Sequence, residues 1–180
     1  MQVIATQHPE VLLLRPKIFG DARGFCFESY NRKAFAGLGI DAEFVQDNHS
    51  RSAQGVLRGL HYQISQPQGK LVRVVAGEVF DVAVDLRRSS PHFGRVASFR
   101  LSAETHDMAW IPPGFAHGFQ VLSEHAEFLY KTTDYYAPEF ERCLLWNDPA
   151  LGIDWPLDGA PLLSAKDQAG RPLAECEVFA

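Results

Sequence analysis

The sequence predicts an all-β fold, an antiparallel sandwich or barrel with a few short helices. Three observations carry this expectation. About ten short segments read as strands, turn residues punctuate them at regular intervals, and only one stretch spaces its apolar residues as a helix does. In chain order, residues 11–15 form an apolar run, and Gly20-Asp21 marks a turn before a strand over 24–30. Residues 32–38 are the helix: Ala34, Phe35 and Leu38 share a face, Asn31 suits the N-cap and Gly39 ends it. Strands follow at 44–48 and, after Gly55, at 56–63. Gln68-Gly69 leads into 70–76, and Gly77 turns that strand into 78–86. Ser89-Ser90-Pro91 breaks the chain before 95–102, and 107–111 comes next. Pro112-Pro113-Gly114 precedes 116–122, and 126–133 is the last strand. Beyond Asp148 the chain is proline-rich and loses alternation. It reads as a wrapping tail with short helical turns, residues 151–155 among them.

Two strands have informative faces. Phe80, Val82, Val84 and Leu86 alternate as a core face, with Val79, Asp81, Ala83 and Asp85 opposite. Alternation also puts Leu57, Gly59, His61 and Gln63 on one face, which suits a polar pocket inside a barrel.

At 180 residues the chain is expected to be one domain over 1–180, with an arm over about residues 1–30 and the tail over about 148–180. Seventeen basic residues against 22 acidic ones give a net charge of −5, a poor balance for gripping nucleic acid. No apolar stretch approaches the ~18 residues of a spanning helix, so no membrane is expected. Residues 1–10 lack a basic start followed by an apolar run, so no secretory signal is expected. Cys26, Cys143 and Cys176 are widely spaced, with no C-x-x-C pair. They suggest neither a disulfide framework nor a thiolate zinc site, and the cytoplasm is the expected compartment.

Seven histidines put metal binding first. Residues 56–77 and 112–117 look like degraded forms of the two cupin motifs. Pro112, Gly114 and His117 keep the P-x-G-x-x-H spacing of the second. The first reads His61-Tyr62-Gln63, with Lys70 where a carboxylate would stand. Two imidazoles, an amide and an ammonium are a poor ligand set, so no metal is expected. Another chemistry suits the same residues. His61 is a candidate general base, oriented by a carboxylate that is either Asp167 or Asp81. Lys70 offers a positive charge to a developing oxyanion. Tyr130 offers a phenolic proton, with Tyr135 and Tyr136 as competitors. Base, oxyanion stabiliser and acid are what proton abstraction beside a carbonyl requires. No helix follows Gly59, Gly69 or Gly77, which excludes a phosphate-binding loop. His49, His92, His106 and His125 read as surface or structural residues.

Seven motifs occur in a fixed order: Asp21-Ala22-Arg23-Gly24-Phe25, residues 44–50, residues 56–63, Gln68-Gly69-Lys70-Leu71-Val72-Arg73-Val74, residues 111–119, residues 130–136 and Leu163-Ser164-Ala165-Lys166-Asp167. By these the chain resembles the dTDP-4-dehydrorhamnose 3,5-epimerase family from about residue 16 to residue 167. The resemblance implies a metal-independent, cofactor-free cupin of jelly-roll type. It implies epimerisation of dTDP-4-keto-6-deoxyglucose at carbons 3 and 5, giving dTDP-4-keto-L-rhamnose. His61 would accept the proton with support from Asp167, Lys70 would stabilise the enolate, and Tyr130 would return a proton to the opposite face. His117 would bound the sugar pocket and Arg58 would contact the diphosphate. Arg23, Glu28, Gln46, Asn48, Tyr136, Glu141 and Lys166 match positions that contact the nucleotide and its phosphates. A homodimer is also implied, in which the N-terminal arm reaches over the partner and Arg23 and Glu28 serve the neighbouring site. Residues 61–70 are one residue shorter than the commonest family form, and Cys26 stands where an aromatic is usual. The alternatives are a mono-epimerase at carbon 3 or carbon 5, a metal-dependent cupin, and a non-catalytic nucleotide-sugar binding module.

Overall fold

The computed structural model describes residues 1–180. Its strands are β1 (Gln2–Ile4), β2 (Leu12–Arg15), β3 (Phe19–Asp21), β4 (Gly24–Cys26), β5 (Gln46–Ala53), β6 (Leu57–Gln63) and β7 (Lys70–Ala76). They continue with β8 (Glu78–Asp85), β9 (Val96–Ser102), β10 (Met108–Ile111), β11 (Phe115–Val121), β12 (His125–Thr132) and β13 (Glu141–Cys143). The helices are α1 (Arg32–Ala36) and α2 (Ala165–Gln168), with 3-10 turns at Pro138–Phe140 and Leu173–Glu175. One sheet runs β1-β2-β10-β7-β12-β5 and the other β13-β6-β11-β8-β9, all pairs antiparallel; β3 and β4 form a separate hairpin. The architecture is a cupin-like jelly roll.

Three apolar clusters explain the layering. Between the sheets, Val72, Val74 and Phe128 of one meet Val79, Ala83 and Phe119 of the other. On the outside of the first sheet, Leu14, Leu71, Met108 and Trp110 are covered by Phe35 of α1 and by Ile40. On the outside of the second, Leu57, Leu60, Val82 and Val84 are covered by Leu151 and Trp155 of the tail. Strands buried on both faces lose the clean alternation of a half-exposed sheet. The Phe80–Leu86 face is therefore the outer one under the tail, while Val79 and Ala83 point into the barrel; both faces are core.

The helix over 32–38 is present but shorter. Asn31 Oδ1 accepts the Ala34 N–H at 3.1 Å, and α1 ends where Ile40 N–H returns to the Phe35 carbonyl at 3.0 Å. The strand expected at 44–48 is instead β5, shifted and longer, and that expected at 24–30 is only β4. No helix occupies residues 151–155; the chain is irregular there, with Gly152 at φ +59, and Trp155 packs beside Phe80 and donates its indole N–H to the Trp146 carbonyl at 2.8 Å. The tail's helix is α2, at the spacing Ser164-x-x-Asp167.

Candidate active site

The barrel interior is apolar at one end and polar at the other. The polar end is a cavity of about 340 Å³. One wall comes from β5, β7 and β12, whose alternation sends Gln46, Asn48, Ser50, Lys70, Phe128 and Tyr130 inward. The facing wall comes from β6 and β11, with Arg58, His61, His117 and Phe119.

Arg58 and His61 share that wall only because β6 is bulged. His61 pairs with His117 and Arg58 with Phe119, so three steps on β6 oppose two on β11. The extra residue brings Gly59 to φ +120, where a Cβ would stand 2.6 Å from Gly118 Cα. The face read from simple alternation is therefore corrected. Leu57 turns outward under the tail, and Gln63 leaves the pocket to accept the Ala137 N–H and donate to the Gln66 and Tyr135 carbonyls.

The bulge also fixes the setting of His61. Gly59 N–H, freed from the ladder, donates to Asp167 Oδ1 at 3.0 Å, and His61 Nε2 lies 2.6 Å from the same oxygen. The Ser164 hydroxyl donates to Asp167 Oδ2 at 2.6 Å, while Asp167 N–H donates to Ser164 Oγ at 3.2 Å. Burial would raise the Asp167 carboxyl, but His61, Ser164 and Gly59 outweigh it and hold the group well below the usual carboxylate range. An ionised Asp167 accepts only, so the imidazole proton sits on Nε2 and Nδ1 keeps its lone pair. Asp81 is not the partner of His61. Its oxygens lie 3.0 and 3.1 Å from His117 Nε2.

Lys70 is 8% exposed and its Nζ donates to the His61 carbonyl at 3.4 Å. Desolvation lowers the ammonium to about 8, against the pull of Asp81 and Glu141. Burial also lowers His117, partly offset by Asp81, and raises the Tyr130 phenol, partly offset by Arg58. The competing tyrosines, Tyr135 and Tyr136, are exposed, and Tyr136 donates its hydroxyl to Glu141 at 3.0 Å. Lys166 ties to Glu141 at 2.7 Å, and both reach the cavity rim.

Eleven of the thirteen residues singled out from sequence are thus gathered here, ten lining the cavity and Asp167 behind His61. Arg23 and Glu28 are not. Arg23 sits on the exposed β3–β4 hairpin paired with Asp21, and Glu28 accepts from Asn31 at 3.1 Å. Ser50, Gln68 and Ser164 were missed. The period of two that carries Gln46 and Asn48 extends to Ser50, and the capping-box spacing marks Ser164.

A cupin metal would use His61, Gln63, a carboxylate and His117. Here Gln63 is turned away, His117 is held by Asp81, and Lys70 occupies the carboxylate's place. These residues do not fit such a centre. Cys143, directly opposite His61 on β13, is not part of the cavity lining, and its thiol is pushed up to about 12 by burial and by Asp167.

Residues 5–175 match the protein family described as dTDP-4-dehydrorhamnose 3,5-epimerase. The chain is 66% identical over 172 residues to a dTDP-4-dehydrorhamnose 3,5-epimerase of Pseudomonas aeruginosa, covering 95% of each. It is similar to the crystal structure of a dTDP-6-deoxy-D-glucose-3,5-epimerase from Legionella pneumophila in complex with dTDP-4-keto-L-rhamnose. The TM-score is 0.95 at 55% identity, over 98% of this chain and 94% of that one. A 3′-monoepimerase of Streptomyces bikiniensis in complex with dTDP-quinovose superposes at TM-score 0.88 with 34% identity, over 97% of this chain and 88% of that one.

Proposed function

This chain belongs to the dTDP-4-dehydrorhamnose 3,5-epimerase family, and from that premise we propose how its residues carry the reaction. The enzyme inverts carbons 3 and 5 of dTDP-4-keto-6-deoxyglucose, giving dTDP-4-keto-L-rhamnose. The 4-keto group acidifies the C–H bonds on both neighbouring carbons. In our reading His61 Nδ1 takes a proton from one face of the sugar. The C–H electron pair moves into the enolate, whose oxygen is met by the Lys70 ammonium. Asp167 stabilises the imidazolium that forms. Tyr130 then returns a proton to the opposite face, which inverts the centre, and solvent restores both groups.

One observation carries this reading: His61 and Tyr130 stand on facing walls of one cavity, from β6 and β12. Inversion needs the acceptor and the donor on opposite faces of a flat enolate, and two walls provide that without reorienting the sugar. Arg58 supplies a planar guanidinium to the diphosphate. Gln46, Asn48, Tyr136, Glu141 and Lys166 line the nucleotide end, and His117, fixed by Asp81, bounds the sugar. Arg23 and Glu28 stand outside this cavity, on an exposed arm with Phe19 and Phe25. We assign them to the cavity of a second copy in a homodimer. No helix is long and apolar enough to cross a membrane.

The test is proton NMR of dTDP-4-keto-6-deoxyglucose with the enzyme in deuterium oxide. Deuterium enters both carbon 3 and carbon 5. Entry at one carbon alone would make it a mono-epimerase like the Streptomyces bikiniensis protein. Nucleotide binding without exchange would leave only a binding module.

A further inference from the structure

Beside the imidazole of His61, three donor atoms from different elements converge. A ring nitrogen of His61 comes from β6, Cys143 Sγ from β13, and an Asp167 carboxylate oxygen from α2, all within 4.8 Å of one another, and Nε2 is the nitrogen that lies 2.6 Å from Asp167 Oδ1. His61 and Cys143 are register partners across an antiparallel ladder, which sets their side chains beside each other on one face. Nitrogen, sulfur and oxygen are the ligand types of zinc, at about 2.0–2.3 Å from the ion. A tetrahedral ion therefore needs donors roughly 3.3–3.7 Å apart. Nε2 and Oδ1, now at 2.6 Å, must part by about 1 Å, and Sγ, within 4.8 Å of both, must draw in by at most about as much. His61 and Cys143 are both half-buried, so two of the three donors are not sealed from solvent.

We propose that His61 Nε2, Cys143 Sγ and Asp167 Oδ1 form an inhibitory site for a borderline-soft divalent cation of the zinc type. This is not the cupin metal position, since Gln63 and His117 take no part. The balance is simple. Cys143 gives up its thiol proton to solvent and binds as thiolate. The imidazole proton leaves Nε2 as the metal takes that lone pair, and it returns on Nδ1. Two positive charges then meet one thiolate and one carboxylate, so the assembly is neutral beside Lys166, which Glu141 already holds. The consequence rests on the role given to His61 above. A proton on Nδ1 fills the lone pair that must accept the substrate's proton, so the occupied site has no base.

Cobalt(II) alone, added to the intact protein, reads the site without substrate. The expected result is a thiolate-to-cobalt charge-transfer band that survives Cys26→Ser and Cys176→Ser but is lost in Cys143→Ser. Zinc then stops deuterium exchange into the sugar, chelation restores it, and Cys143→Ser raises the inhibition constant about ten-fold or more. Cys143→Ser keeps the metal-free rate. No band, a band that survives Cys143→Ser, or equal zinc inhibition of both proteins would overturn the proposal. Failure of the catalytic reading looks different: metal-free enzyme would exchange no proton while the cobalt band remained.

Discussion

Asp167 decides which nitrogen of His61 can take a proton. It accepts from Nε2 at 2.6 Å, so Nδ1 is left basic. Asp167→Asn replaces an obligatory acceptor with a group that can donate, which favours the opposite tautomer. Exchange at carbons 3 and 5 is expected to fall by roughly 10²–10⁴ with nucleotide affinity kept, as NMR exchange and calorimetric titration would read. Lys70 has two effects of opposite sign. In the mechanism we propose its ammonium serves the enolate, so turnover is expected to fall as pH rises through about 8. The same ammonium is buried, with its folded value about 8 against an ordinary 10.5. Below pH 8 it is charged in both folded and unfolded chains, and folding bears the full cost of about 3 kcal/mol; between 8 and 10.5 that cost disappears. Lys70→Met is therefore expected to abolish activity and raise stability by up to about 3 kcal/mol at neutral pH. The gain fades towards pH 10.5, and urea unfolding across pH checks it. A variant less stable at pH 7 would refute the account.

At the scale of elements, the bulge in β6 and the box at α2 jointly place the base. Gly59→Ala puts a Cβ 2.6 Å from Gly118 Cα and 2.8 Å from the His117 carbonyl, at a φ that L-residues rarely adopt. Both contacts are backbone, so a loss of about 3 kcal/mol or more is expected in thermal unfolding. Ser164→Ala removes the hydroxyl that holds Asp167 Oδ2 and the N-cap of α2. It should cost about 1 kcal/mol in stability. It should also cost about ten-fold in kcat with KM little changed, as for one hydrogen bond to a charged group, and Ser164→Thr should restore both. These elements also show what was legible. The run over 70–76 is β7 residue for residue, because an apolar run between two turn signals has few other solutions. The strands β1, β3 and β13 were not legible: each is three residues long and exists because a neighbour pairs with it. A pattern of period two cannot announce its own interruption, so the sequence-based face of β6 failed at Gly59. His61, Lys70 and Tyr130 were recognisable by their neighbours, whereas the choice of Asp167 over Asp81 needed the tail's path.

On the scale of the whole molecule, the question is whether the tail is a detachable cover or part of the core. It delivers Asp167, so activity reports its docking. Leu151 and Trp155 are nearly buried against the outer face of the second sheet, with Ile153, Leu163, Leu173, Val178 and Phe179 packed around them. At roughly 1.5–3 kcal/mol for each fully buried side chain and less for the others, the tail contributes on the order of 10 kcal/mol. That is comparable to the entire stability of a domain this size, about 5–15 kcal/mol. It is also stitched in by backbone, through bridges of Val56 to Leu162, Leu144 to Arg171 and Arg87 to Phe179. A segment bound so strongly cannot leave while the sheets persist, because peeling it would expose Leu57, Leu60, Val82 and Val84 at once. Epimerase activity, tryptophan fluorescence and far-ultraviolet circular dichroism are therefore expected to be lost at one urea midpoint. An activity midpoint well below the others would mean that the tail opens alone and that Asp167 is held by local contacts. The single-midpoint outcome would make the base dyad inseparable from the fold, since Asp167 would then be present whenever the barrel is.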